Sequence, residues 1–482
     1  MNLEKNDEHI NNLKKMANSS DFIIYENCTS ILPFTISYFK TLINPTILHE
    51  SILPLINLNG DQSLVEFYAL LPFTEKLMTA EWEIIEGKLL RGYVVIYFKG
   101  KDKQVVLVDG AENKGRSVQQ PEIEFSVVGP KEALVESLEV NLNLIRRRLP
   151  VPNLKMKELS VGSLSKSKVV VCYLEGITNE DYVRTVTERI EGIDYDFLFD
   201  TTMLSQMIEG NTKSIFPQLL ETERPDRICS GLGLGQVAIL MDGSPDALLG
   251  PVSLNWFFVS YEDYYLPWNI ASFFRLIRIF AIIFSISASS LYVAVTTYHY
   301  EVVSTTLLST LISSRATIPL PPVIEAIIME LTIELLREAG ARLPARVGQT
   351  IGIVGGIVIG TAAVQASLTS NILLIIVGLS ALASFTTPIF RMSTTIRLLR
   401  YPLILAAQWL GLLGIFIISA FILIHLLRLK TLGSPYLAPI YPFRRSDLND
   451  SLVRLPFSSF SKRPSSLRTQ NPSRISSDLD EE

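Results

Sequence analysis

The chain has 482 residues, 48% of them hydrophobic and 19% charged, with a formal charge of −5; the charged share falls below the roughly 25% of ordinary soluble domains. This composition excludes disorder over most of the length, and three widely separated cysteines, Cys28, Cys172 and Cys229, exclude a disulfide scaffold and suit a reducing compartment. The charge is uneven, −12 over residues 1–264, +6 over 265–430 and +1 over 431–482, so an acidic body with no basic face for nucleic acid precedes an apolar one.

Residues 1–20 contain no apolar stretch of the about 7 to 15 residues that a signal peptide needs. They read as a disordered start, and the region after them is expected to stay cytoplasmic. From residue 21, short apolar runs alternate with helical stretches. Gly92 to Phe98 (GYVVIYF) and Gln104 to Val108 (QVVLV) flank a turn centred on Gly100, a hairpin that suits a mixed sheet. Gly129 and Pro130 precede a helix from Lys131 to about Leu149, whose last turn carries Arg146, Arg147 and Arg148, where cations complement the helix dipole. A strand over Lys168 to Leu174, a helix over about Glu180 to Glu191 and a strand over Gln236 to Met241 build a second unit. The expected fold class is therefore α/β for the N-terminal region, with two mixed α/β subdomains over 21–153 and 154–265.

A helix needs about 20 apolar residues to cross about 30 Å of hydrocarbon. No Asp, Glu, Lys or Arg occurs over residues 279–300, 347–390 or 401–427. The long second run breaks at Ser367, Thr369, Ser370 and Asn371, so the all-α transmembrane bundle, residues 266–430, is expected to hold four spans near 275–298, 347–367, 372–390 and 402–427. Arg275 and Arg278 ahead of the first span favour a cytoplasmic soluble region. With Glu262, Asp263 and Tyr264 they are candidates for coupling the two bodies.

From Pro319 to Pro344 the pattern is helical but charged. Ile324, Ile327, Ile328, Leu331 and Leu335 share one face, Glu330, Glu334 and Glu338 step by four along another, and Glu325 and Arg337 add charge. Residues 319–340 form either an amphipathic helix lying in the interface or packed on the bundle, or a span or re-entrant helix whose acidic stripe faces water inside an assembly. These glutamates are pore or gating candidates, since rings of carboxylates favour cations. Gly352, Gly356 and Gly360 leave one helical face nearly bare, for helix packing or for lining a narrow passage. His299 and Glu301 end the first span as interfacial caps or as a gating pair. Residues 431–482 form a tail rich in Ser, Pro and Arg, expected to be disordered over Leu455 to Ser476 and either solvated or attracted to anionic membrane lipid.

Enzyme signatures are missing from this chain. Gly231, Gly233 and Gly235 are spaced as GxGxG, without the third Rossmann glycine or a P-loop lysine, and Asp242 to Pro245 form a turn rather than a nucleophile elbow. His9, His49, His299 and His425 are too scattered for a metal cluster. No catalytic residue, cofactor or metal is expected.

Several stretches, in order and spacing, resemble one family. They are Asn143 to Leu149 (NLIRRRL), Thr222 to Asp226 (TERPD), Asp242 to Leu248 (DGSPDAL), Ser260 to Tyr265 (SYEDYY), Arg337 to Pro344 (REAGARLP), Ile353 to Ala363 (IVGGIVIGTAA), and His425 through Pro442 with its GSPY and YP turns. From about Asp21 to Pro464 the chain is similar to the A subunits of bacterial spore germinant receptors, the GerA family. It departs from the family pattern at Ser304, at Gln236 after Gly235, and at Ser367. The resemblance implies a nutrient receptor subunit in the inner membrane of the spore. Its implied partners are a transporter-like B subunit that binds the germinant and a lipoprotein C subunit. The implied assembly is a homo-oligomer, with a pentamer as the expected form, making a nutrient-gated channel for monovalent cations. A non-conducting scaffold that assembles the receptor and relays its signal is the alternative.

Overall fold

The computed structural model describes residues 12–27, 33–58, 64–73, 75–98, 104–112, 121, 124, 126–343, 355–356 and 358–474. Strands β1 (Phe22–Asn27), β2 (Phe34–Phe39), β3 (Lys76–Thr79), β4 (Tyr93–Phe98) and β5 (Val105–Asp109) form one sheet in the order β1-β2-β4-β5-β3. The β4–β5 hairpin pairs Val95 with Leu107, so alternate residues face opposite sides. Leu107 and Val95 join one apolar core, Val94 and Val106 another. The turn of this hairpin, residues 99–103, lies outside the described residues.

Strands β6 (Leu154–Val161), β7 (Ser167–Leu174), β8 (Leu220–Thr222), β9 (Val237–Met241) and β10 (Ala247–Gly250) form a second sheet in the order β6-β7-β9-β10-β8. Both sheets are antiparallel at every described pairing, not mixed as the sequence suggested. Parallel neighbours need a crossover connection of about a dozen residues or more, whereas β4 and β5, β6 and β7, and β9 and β10 follow one another through short turns.

Helices α1 (Leu138–Arg148) and α2 (Pro225–Leu234) cover one face of the second sheet. The sequence puts the passage between the two sheets near residue 153, and α1 bridges it. Leu142 and Ile145 pack with Val170 and Leu240 of the second sheet, while Asn143 and Arg146 reach Thr41 and Asp21 of the first. The same apolar core continues into Ile282, Ile396, Leu399 and Leu426 of the helical bundle.

The bundle contains α3 (Trp268–Thr297), α4 (Pro322–Arg342), α5 (Asn371–Ser384), α6 (Phe390–Leu410) and α7 (Leu412–Arg428). Among the described residues, α3 alone is long and apolar enough to cross a membrane; its 30 residues rise about 45 Å at about 1.5 Å each. Side-chain pairings fix the directions. Tyr292 meets Ser370 and Ser285 meets Ser380, so α3 and α5 run antiparallel. Glu325 meets the start of α5 and Arg337 its end, so α4 runs beside α5 in the same sense. In α6, Arg391 touches Glu221 of the second sheet while the Trp409 carbonyl accepts from Tyr298 at the far end of α3. Helix α7 returns, and His425 meets Ser214.

Two expectations change here. The run over residues 402–427 is not one helix: it reverses at Gly411, whose φ of 60° and ψ of −138° favour glycine. A Cβ there would lie 2.6 Å from the His299 ring. The absence of charge revealed the apolar length but not a turn within it. The tail is also not disordered through residue 474. Tyr436 is buried and its hydroxyl donates to the Pro217 carbonyl, Arg463 donates to the Gly233 carbonyl, and the Gln470 amide donates to Ile177. A segment without apolar periodicity has found its partners on a folded surface rather than in itself.

Candidate functional site

Two buried ionic clusters lie along the route from the sheets into the bundle. At the junction, a short 3-10 turn over Tyr261–Tyr264 precedes α3, and Arg275 and Arg278, one helical turn apart, reach back to Asp263 of that turn. Arg275 Nε donates to Asp263 at 2.9 Å and Arg278 Nη1 at 3.1 Å. Arg275 Nη1 also donates at 2.9 Å to Asp450 of the tail, whose second oxygen accepts from the Tyr264 hydroxyl at 2.6 Å. Glu262 accepts from the Val127 amide. Burial, with Asp450 beside it, raises the Tyr264 hydroxyl well above its ordinary pKa, so this phenol is a donor. All five coupling candidates thus stand at one junction. Sequence reading missed Asp450 and the buried Arg454, whose guanidinium lies 4.3 Å from the Phe457 ring and donates to the Leu266 carbonyl. Both sit in the tail, far along the chain from α3.

Within the bundle, small residues Ala281, Ser285, Ala288 and Ser289 give α3 a buried face that admits close neighbours. Glu330 of α4 pairs with Arg400 of α6 at 2.9 Å and accepts from Ser289, while Arg400 also donates to Ser285 Oγ and the Ser380 carbonyl. Glu330 and Arg400 are each 1% exposed. Glu325 accepts from the Ser370 amide at 2.6 Å and lies 3.6 Å from Arg315. Glu334 lies between Arg337, at 3.6 Å, and Arg397, at 3.4 Å. Glu338 is exposed and pairs with Arg342. The acidic stripe is therefore matched by arginines of the same chain, and its burial falls from Glu330 to Glu338.

The remaining candidates are dispersed. His299 lies against the Gly411 reversal and Glu301 is exposed; no hydrogen bond joins them. Gly352 lies outside the described residues. Gly360 is buried, where a Cβ would contact Leu374 at 3.6 Å, whereas nothing approaches Gly356. Two links between bundle and second sheet went unread in the sequence: Arg391 to Glu209 and Glu221, and His425 to Ser214. The described residues contain no group of three or more His, Cys, Asp or Glu able to hold a metal. Burial raises the Cys229 thiol to about 12, which leaves it protonated and unreactive.

These features define a class: a two-sheet domain rooted in a helical bundle that has buried ion pairs and a helix of membrane-spanning length. The model of the Bacillus/Clostridium GerA spore germination protein matches residues 11–466, and the chain belongs to this GerA family. It is 48% identical to spore germination protein GerQA of Bacillus cereus over 94% of this chain and 91% of that protein. It is 35% identical to spore germination protein KA of Bacillus subtilis over 96% of this chain and 87% of that protein. The crystal structure of the N-terminal domain of the A subunit of the Bacillus megaterium spore germinant receptor GerK3 aligns over 51% of this chain and 94% of that one, at 25% identity and a TM-score of 0.39.

Proposed function

We propose that this chain is the A subunit of a spore nutrient receptor in the inner spore membrane, acting with a germinant-binding B subunit and a lipoprotein C subunit. Copies assemble as a pentamer around a common axis into a nutrient-gated path for monovalent cations. Helices α3 to α7, with the helical segment containing Gly356 and Gly360, form its membrane part. The tail returns to the side of the two sheets.

The observation that carries this reading is the Glu330–Arg400 cluster, a buried acid and base joined to serines of two further helices. Charges inside a membrane bundle are costly and mark functional routes. Arg400 Nε has no hydrogen-bond partner, so the cluster is incompletely satisfied and open to a second arrangement. Rearrangement at the Asp263–Arg275–Asp450 junction passes along α3 to Ser285 and Ser289, which touch this cluster. Intrachain neutralisation of Glu325, Glu330 and Glu334 makes them gating residues rather than a bare carboxylate ring.

Potassium efflux from liposomes holding the reconstituted receptor tests this. Glu330→Gln is expected to change nutrient-triggered efflux at least tenfold while co-purification of the partner subunits persists. Unchanged efflux in a well-assembled Glu330→Gln receptor would overturn gating through this cluster. Absence of efflux from the assembled wild-type receptor would favour the scaffold, for which the same neutralisation speaks.

A further inference from the structure

The tail does more than lie on the second unit. Between residues 446–474, the segment running from Trp256 to Tyr265 and the end of α2 there is a cavity of about 680 Å³, within the roughly 300–1,000 Å³ usual for small-molecule sites. Trp256, Tyr261, Tyr265, Phe457 and Phe460 supply aromatic surface. The charged lining residues divide into those already engaged and those free. Asp447 accepts from the amides of Ser465 and Ser466, and Asp450 is held by Arg275 and Tyr264. Arg463 donates to the carbonyls of Gly233, Asn471 and Ser473. Lys462, Arg468 and Arg474 have no side-chain hydrogen bond or ion pair with any described residue.

Among the described residues, the charge around the cavity that has no partner is therefore positive, beside an aromatic wall. A neutral apolar ligand would leave these cations unpaired, and a bare inorganic anion would leave the aromatic surface wet. We propose that the cavity binds a small planar anion: an aromatic ring bearing a phosphate or carboxylate, with the ring on the Trp256 side and the anion met by Lys462, Arg468 and Arg474. Because Asp450 also pairs with Arg275, such a ligand clamps the tail beside the start of α3.

The test is calorimetric titration of the full-length, detergent-solubilised protein with phenyl phosphate, compared with inorganic phosphate and phenol. Saturable binding of phenyl phosphate at least tenfold tighter than either fragment is expected. The exposed double substitution Lys462→Glu/Arg468→Glu should weaken it at least tenfold, whereas Lys213→Glu, on a separate exposed loop, should not. No saturable binding, equal binding of inorganic phosphate, or an affinity untouched by the double substitution would overturn the proposal. Displacement of phenyl phosphate by phosphatidylglycerol vesicles would assign the site to a lipid headgroup and overturn its assignment to a soluble ligand.

Discussion

The two sheets differ in how they are tied to the rest of the molecule. Both apolar cores of the first sheet are built from residues before Asp109, and its links outward are polar. Arg146 of α1, fully buried, grips Asp21 at 2.7–3.1 Å and stacks 4.5 Å from the Phe39 ring, and Asn143 donates to the Thr41 carbonyl. The second sheet shares one continuous apolar core with α3, α6 and α7. An apolar core transmits displacement because it is close-packed, whereas a latch of a few directional contacts can open as a unit. The second sheet is thus joined to the bundle as one body, and the first is a separately latched one.

The largest effect expected from breaking this contrast is at the latch. Arg146→Ala leaves Asp21 buried without its cation and should cost about 3–5 kcal/mol. Hydrogen exchange should accelerate across residues 22–109 while β7 and β9 stay protected; uniform acceleration would show the two units to be one. Next, Ile396→Ala in the shared core should cost about 2–5 kcal/mol and loosen α6 and the second sheet together. Loss of protection in α6 alone would refute the shared core.

A smaller effect concerns pH. Burial, with Glu223, Glu221, Glu124 and Asp200 nearby, raises Asp246 to about 7. The native protein then holds this proton where the unfolded chain, with its carboxyl near 4, has lost it. Stability should fall as pH rises from about 4 to about 7, by no more than about 1.4 kcal/mol per pH unit for this group, and level off above. Asp246→Asn should flatten that slope in thermal unfolding; an unaltered slope would remove Asp246 as its cause. The smallest effect is at Glu338, exposed and paired with Arg342. Glu338→Gln should change stability by less than about 0.5 kcal/mol, in contrast to buried Glu330 on the same helix.

Legibility in the sequence followed the range of the interactions. The hairpin of β4 and β5 and helices such as Glu180–Glu191 are written in local periodicity. Strand β6 went unread because its sequence, LKMKELSV, mixes buried and exposed positions without strict alternation. The junction candidates could be named because Asp263 and Arg275 are near neighbours in the chain. Their partner Asp450, like Arg400 for Glu330, lies where no spacing rule reaches.

Composition and charge patterning determined that an acidic sheet-rich region precedes an apolar helical one, since burial preference and backbone period are properties of short segments. Tertiary structure alone decided which charges face one another, that α6 and α7 reverse at Gly411, and that the tail folds back onto the second unit. Those outcomes depend on desolvated contacts between distant segments, and the free energy of a buried ion pair or a shared core exists only once both partners are brought together.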